Sequence, residues 1–351
     1  MGSIDTAGGK EAIPLLTPFK LGTFELSHRV ALAPLTRCRA PRNIIGKAAI
    51  EYYSQRATPG GLLITEATVV APTGHGFPFT PGVYTKEQVE AWKPVVKAVH
   101  DNGAIFFLQL WHTGRQSSVD YQPNRAPPVS GSSKRNDVDK VLLENYTVVD
   151  SSQPHQLTTD EIPQMIDQWR LAARNAIEAG FDGVEIHGGN GYLVEDFLKD
   201  SVNDRTDQYA TSDPVPLGLH LIEQLNKRDL LYLHVIEPRI KGNTEIDSKD
   251  DTLAFKKAFK GPFIAAGGFN RDEGNAFVAE GKADLIAYGR HFLSNPDLVK
   301  RFALNAPLNA YDRNTFYTTD PVVGYTDYPF LPDSATKVNY LRTDLTSNLG
   351  S

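Results

Sequence analysis

Short runs of β-branched and aliphatic residues alternate along this chain with longer segments whose apolar positions recur every three or four residues. Strands buried on both faces read as nearly continuous apolar runs, and crossover helices show a single apolar stripe, so the pattern predicts an α/β fold with a parallel sheet. The strand-like runs are Val30 to Leu35, Leu62 to Thr68, Ile105 to Leu110, Val184 to His187, Leu231 to Ile236, Pro262 to Ala266 and Leu285 to Tyr288. Helical spacing covers Lys47 to Arg56, Glu87 to His100, Thr159 to Ala179, Leu217 to Lys227, Leu253 to Phe259, Arg271 to Glu280 and Pro296 to Leu304. Start and stop signals fit these bounds. Thr158-Thr159-Asp160-Glu161 offers a hydroxyl cap with acids in the first turn, Asn295-Pro296 puts proline just inside a helix, and Gly103, Gly180 and Gly281 follow helical segments.

Two long stretches break the alternation: 114–157, rich in Ser, Pro and Asn, and the tail 311–351. The first follows a strand end, which marks it as a substrate-side loop. With 351 residues, one large barrel domain over 1–351 accommodates the whole pattern. The net charge of −6, from 36 basic and 42 acidic residues without a like-charge run, argues against a nucleic-acid or anionic-membrane partner. A lone Cys38 leaves no internal disulfide and no multi-cysteine metal site, so no metal is expected. No apolar run reaches the length of a membrane span, and the polar opening Met1 to Lys10 lacks an apolar signal core, which leaves the cytoplasm as the expected location. A small molecule is the expected partner, and the sequence sets no subunit number.

In a β/α barrel the active site forms where strands end and loops begin, so polar residues there carry the chemistry. The last two strands end in Gly267-Gly268 and Gly289-Arg290. Glycine lets backbone N–H groups approach a phosphate and a guanidinium can fork onto its oxygens; equally, the glycines close tight turns and Arg290 makes a surface ion pair. A second cluster follows another strand: His187 and Asn190 can donate hydrogen bonds to a carbonyl, and the Tyr192 phenol can deliver a proton. The bland alternative is a polar turn packed against its neighbours. Thr36 and Gln109 are either site residues or buried polar groups satisfied by backbone, and His112 is given no catalytic role.

These residues resemble the Old Yellow Enzyme family, most closely its plant 12-oxophytodienoate reductase branch. The likeness runs through Leu26-Ser27-His28-Arg29-Val30, Ala33-Pro34-Leu35-Thr36-Arg37, Gln109-Leu110-Trp111-His112 and Phe181-Asp182-Gly183-Val184-Glu185-Ile186-His187-Gly188. It continues in Asn203-Asp204-Arg205-Thr206-Asp207, Ala265-Ala266-Gly267-Gly268-Phe269, Ala287-Tyr288-Gly289-Arg290 and Gly324-Tyr325-Thr326-Asp327-Tyr328-Pro329. The resemblance implies a TIM-type (β/α) barrel holding FMN, with the isoalloxazine against Pro34, Leu35, Thr36, Ala67 and Gln109 and the phosphate near Gly268, Gly289 and Arg290. It also implies NADPH as reductant and a small α,β-unsaturated carbonyl as substrate, in oxylipin or jasmonate metabolism. His187, Asn190 and Tyr325 would bind that substrate, and Tyr192 would protonate its α-carbon. A different phosphate-binding barrel, an aldolase or isomerase, would want a lysine or paired carboxylates at strand ends, and neither is clearly placed.

The chain departs from the family after Tyr209. It runs from Tyr209-Ala210-Thr211-Ser212-Asp213-Pro214 almost directly into Leu217-Gly218-Leu219, so about one helix-plus-strand unit is missing, in keeping with seven strands rather than eight. Strand number, tilt and shear are linked in a closed barrel, so the loss means a smaller barrel or an unpaired edge. The missing strand would carry an arginine beside the flavin, which predicts weaker FMN binding and a lower reduction potential than in intact relatives. The competing expectation is a truncated paralogue or splice product that keeps the motifs without turnover.

Overall fold

The computed structural model describes residues 12–136, 140–210, 217–241 and 244–332. All seven expected strands form: Val30–Leu32, Leu62–Ile64, Ile105–Trp111, Gly183–Ile186, Leu233–Ile236, Phe263–Ala266 and Leu285–Tyr288. They pair in parallel in the spatial order fourth, third, second, first, seventh, sixth, fifth, and the short strand Thr68–Val69 adds to the third. The sheet therefore curls as a barrel opened along one side. Among the described residues nothing pairs the fourth strand with the fifth, and Ile186 and Ile236 on these two edges are 62% and 46% exposed. Of the two outcomes expected from a missing unit, the unpaired edge is the one realised.

Side-chain alternation along the strands divides the apolar residues into two layers. Ala31, Ala33, Leu62, Ile64, Phe107, Ile264, Ala266, Leu285 and Ala287 point inward, where Leu21 and Leu26 of the antiparallel hairpin Phe19–Leu21 and Phe24–Leu26 join them and plug one end. Val30, Leu32, Leu63, Phe106, Leu108, Leu110, Phe263, Ala265 and Ile286 point outward onto the helices. Phe106 sits at 5.0 Å from Tyr53 and 4.9 Å from Phe181, centroid to centroid, so its loss would cost about 3–5 kcal/mol.

The expected helices lie at Ala48–Arg56, Lys86–Asp101, Glu161–Ala179, Leu217–Leu225, Leu253–Ala258, Arg271–Ala279 and Leu298–Leu304, and short helices at Leu193–Leu198 and Arg290–Ser294 follow the fourth and seventh strands. Thr158 and Glu161 exchange the expected cap bonds, with the Glu161 N–H donating to Thr158 Oγ1 at 3.3 Å and the Thr158 N–H to Glu161 Oε2 at 2.7 Å. Gly180 follows its helix at φ +101°, a left-handed end that suits glycine.

Some expected bounds need correction. The first strand ends at Leu32 rather than Leu35, because Pro34 has no N–H for a ladder. Pro296 does not open a helix: the preceding helix Arg290–Ser294 ends just before it, and the next begins at Leu298. The Asn295 side chain is instead spent on the His291 carbonyl, to which it donates at 2.8 Å. The stretch 114–157 is also less irregular than its composition predicts, since Lys140–Leu142 pairs with Val148–Asp150 as a hairpin.

Candidate active site

A cavity of about 1710 Å³ opens at the ends of the barrel strands and runs on along the open side of the barrel, where Leu221, Ile222, Leu225 and Phe255 also line it. Pro34, Leu35 and Thr36 enter it from the loop after the first strand, Ala67 from the second, Gln109 from the third, His187, Asn190 and Tyr192 from the fourth, and Gly268, Gly289 and Arg290 from the last two. The wall is completed by Gln116, Lys140 and Val141 of the 114–157 stretch and by Phe316 and Tyr317 of the tail. The part of the tail beyond residue 332 lies outside the described residues.

His187 follows the fourth strand, and burial pulls its pKa down to about 4, against the opposing pull of the Glu185 charge. Its Nδ1 accepts a long bond, 3.4 Å, from the Gly189 N–H, so in the neutral ring the proton sits on Nε2. The imidazole is thereby set as a neutral donor. Asn190 reaches the cavity from a left-handed conformation, φ +61°, which asparagine tolerates; Gln116 Nε2 donates to its carbonyl at 2.9 Å. The Tyr192 ring meets His187 edge-on at 5.1 Å and Trp111 edge-on at 5.1 Å. These three side chains, separated by only a few residues of irregular backbone, converge on one wall.

At the other end, Gly267 and Gly268 adopt φ +128° and +72°, and a Cβ on Gly289 would come within 3.0 Å of Leu35. The Arg290 Nη1 donates to Tyr311 Oη at 3.2 Å, which holds the guanidinium at the rim. Gln109 donates from its side chain to Glu185 Oε1 at 2.7 Å and from its backbone N–H to Thr65 Oγ1 at 3.0 Å.

Tyr325 is the expected site residue that the structure does not bring to the cavity. It is 1% exposed, stacked on Tyr52 at 4.2 Å and 5.1 Å from the Arg37 guanidinium, and it belongs to the packing that fastens the tail to the barrel. Arg37 does the same work, donating to the carbonyls of Gly324 at 2.7 Å and Phe316 at 3.2 Å. Arg205 of the Asn203–Asp207 motif likewise ties loops together, donating to the carbonyls of Leu157 at 2.6 Å and Gly131 at 3.1 Å. His112 is buried, with its pKa drawn down to about 3 by burial and then by His75, and it does not line the cavity.

Sequence reasoning missed Glu185, Tyr232 and His234, which meet inside the barrel. The Tyr232 hydroxyl donates to Glu185 Oε2 at 3.0 Å and His234 Nδ1 lies 3.0 Å from the same oxygen. Burial alone would push the Glu185 carboxyl up, but the His234 charge and the bonds from His234, Gln109 and Tyr232 outweigh it and hold it below the usual range. The signal was a two-residue alternation: Glu185 between Val184 and Ile186, His234 between Leu233 and Val235.

Among the described residues no cluster of His, Cys, Asp and Glu is placed to hold a metal, and no helix is long and apolar enough to cross a membrane. The chain matches the NADH:flavin oxidoreductase / NADH oxidase family over residues 14–214 and 219–309, with the break where the sequence departs from its expected pattern. It is 54% identical over 366 residues to 12-oxophytodienoate reductase 1 of Oryza sativa subsp. japonica, covering 92% of this chain and 94% of that protein. It is 49% identical over 377 residues to 12-oxophytodienoate reductase 2 of Arabidopsis thaliana, covering 94% and 99%. Both alignments are longer than this chain, so the relatives carry residues without a counterpart here. Among solved structures, morphinone reductase superposes with a TM-score of 0.85 at 36% identity, covering 91% of this chain and 97% of that one. Its complex with tetrahydroNAD gives a TM-score of 0.83 at 37% identity, covering 91% and 98%. Fold, motifs and relatives agree that the chain belongs to this NADH:flavin oxidoreductase family, the Old Yellow Enzyme family, in its plant 12-oxophytodienoate reductase branch.

Proposed function

We propose that this protein reduces the carbon–carbon double bond of α,β-unsaturated carbonyl compounds, 12-oxophytodienoate-like or other small enones, with FMN as resident cofactor and NADPH as reductant. The observation that carries this reading is the convergence of His187, Asn190 and Tyr192 on the cavity that Gly268, Gly289 and Arg290 close at its other end.

The cavity suits a flavin. Its volume of about 1710 Å³, part of it along the open side of the barrel, exceeds the ~300–1,000 Å³ of a usual small-molecule site. Small residues, Ala33, Ala67, Ala266 and Ala287, hold the strand ends open for a flat ring, and the buried Trp111 Nε1 and His234 Nε2 have no protein partner. Pro34, Leu35, Thr36, Ala67 and Gln109 would hold the ring, and Gly268, Gly289 and Arg290 the phosphate. When bound, FMN supplies the hydride chemistry.

The protein's own part is binding, polarisation and proton delivery. The His187 Nε2–H and the Asn190 amide hold the substrate carbonyl oxygen, and their hydrogen bonds strengthen as that oxygen gains enolate charge. The Tyr192 phenol holds the proton for the α-carbon. Trp111 and Phe77 pack on the Tyr192 ring, at 5.1 and 6.5 Å, and orient it. We place all of this in one barrel domain in the cytoplasm, covered on the substrate side by residues 114–157. With one helix-plus-strand unit absent, we expect weaker FMN binding and a lower potential than in intact relatives.

The test is the visible spectrum of the purified protein, followed anaerobically by NADPH and then 2-cyclohexenone. Flavin absorbance that bleaches and recovers supports the reading; colourless protein that cannot be reconstituted with FMN rejects it in favour of a truncated, non-catalytic paralogue.

A further inference from the structure

Among the described residues, the open side of the barrel is spanned by side chains rather than by backbone. Glu185 on the fourth strand accepts from Gln109 on the third and from Tyr232 beside the fifth, and lies 3.0 Å from His234 on the fifth. A charged Glu185 can only accept, so His234 Nδ1 carries the proton of their shared bond. That bond fixes the plane of the imidazole and leaves Nε2 as its remaining polar atom. Nε2 is buried with no hydrogen-bond partner in the protein, in a side chain only 10% exposed. His234 also lines the same cavity as Gln109, His187 and Ala67. A polar atom that is desolvated and unpaired costs free energy unless a ligand supplies its partner.

We propose that His234 contacts the flavin ring through Nε2, with Glu185 as the positioning residue that aims it, so that the open side of the barrel takes part in cofactor recognition. This rests on the flavin reading of the cavity. The contact falls to a ring edge rather than to the phosphate, because Gln109, assigned to the ring, and His234 share Glu185, whereas Arg290 lies on the last strand's end. The principle is the one by which a second hydrogen bond on a metal-bound histidine fixes its orientation.

The experiment compares the wild-type chain, His234→Leu and His234→Gln by FMN titration, read as flavin fluorescence quenching and as the position of the visible band. Loss of Nε2 in His234→Leu weakens FMN binding about tenfold or more, ~1.4 kcal/mol, and displaces the band; His234→Gln, which keeps a polar group at that reach, restores most of both. In wild-type protein labelled with ¹⁵N-histidine, the Nε2 resonance of His234 moves on FMN addition, and this decides the matter even where His234→Leu does not fold. Unchanged affinity and band in His234→Leu, or an Nε2 resonance indifferent to FMN, overturns the proposal while leaving the flavin reading intact. A wild-type chain that binds no FMN overturns both.

Discussion

The Glu185 carboxylate meets the His234 imidazole at 3.0 Å across the side of the barrel where no described strand joins the two edges. Edge strands normally carry unmet backbone donors and acceptors, and here a buried pair tethers them. Removing one member of such a pair leaves the other uncompensated, at a cost of about 3–5 kcal/mol. Glu185→Ala should therefore lose roughly 3 kcal/mol of stability in FMN-free protein, measured by urea unfolding. A loss well under 1 kcal/mol would mean the bridge does not hold the edges.

Tyr192→Phe removes the proton donor and keeps the ring that packs on Trp111 and His187. Reduction by NADPH should proceed as in the wild type, while reoxidation by 2-cyclohexenone slows by about 10²-fold or more. His187→Ala and Asn190→Ala should each lower kcat/KM for the enone by roughly 10²–10³. Because the His187 pKa is drawn down to about 4, its donor state is constant from pH 6 to 8 and is altered only as the pH falls toward 4. Stopped-flow half-reactions across that range check each point, and a His187-dependent inflection near pH 6.5 would contradict the neutral-donor assignment.

Arg290 offers a discrimination internal to the cofactor. If it binds the phosphate, Arg290→Ala weakens FMN by about tenfold, ~1.4 kcal/mol, and leaves riboflavin binding as in the wild type. Equal losses for the two flavins would move Arg290 away from the phosphate.

Glu66 sets a pH dependence of stability. Burial raises its pKa to about 7, against the opposing bond from the Arg37 N–H and the Arg37 charge. A carboxyl raised in the folded state binds more protons there than in the unfolded chain, so its contribution is full below about pH 4.5 and is lost as the pH rises through about 7. Glu66→Gln should stabilise the protein at pH 8, by no more than about 3 kcal/mol, and have little effect at pH 4.5. Thermal melts at the two pH values read it, and a gain at pH 4.5 as large as at pH 8 would refute the raised pKa.

Much of this was legible in the chain because it is written in short-range patterns. The seven apolar runs became the seven strands, since continuous burial on both faces demands such runs. His187, Asn190 and Tyr192 were found together because they lie within six residues after one strand, and Gly268, Gly289 and Arg290 because strand ends in a barrel point to one face. Tyr325 was misplaced for the converse reason: it sits in a motif that resembles the family's, but only packing against Tyr52, Arg37 and Arg39 decided that it would be buried at 1% exposure.

The amino-acid sequence by itself thus determined the α/β class, the seven barrel strands and the polar clusters at their ends, which are properties of local periodicity, while its resemblance to the family supplied the missing unit and the remaining cavity-lining residues. Tertiary structure alone decided that the gap becomes an open seam rather than a smaller barrel, and that Glu185 reaches Tyr232 and His234 across it. Those partners are about fifty residues apart in the chain, so their meeting depends on how far the sheet curls, which is fixed by the accumulated twist and packing of every strand between them.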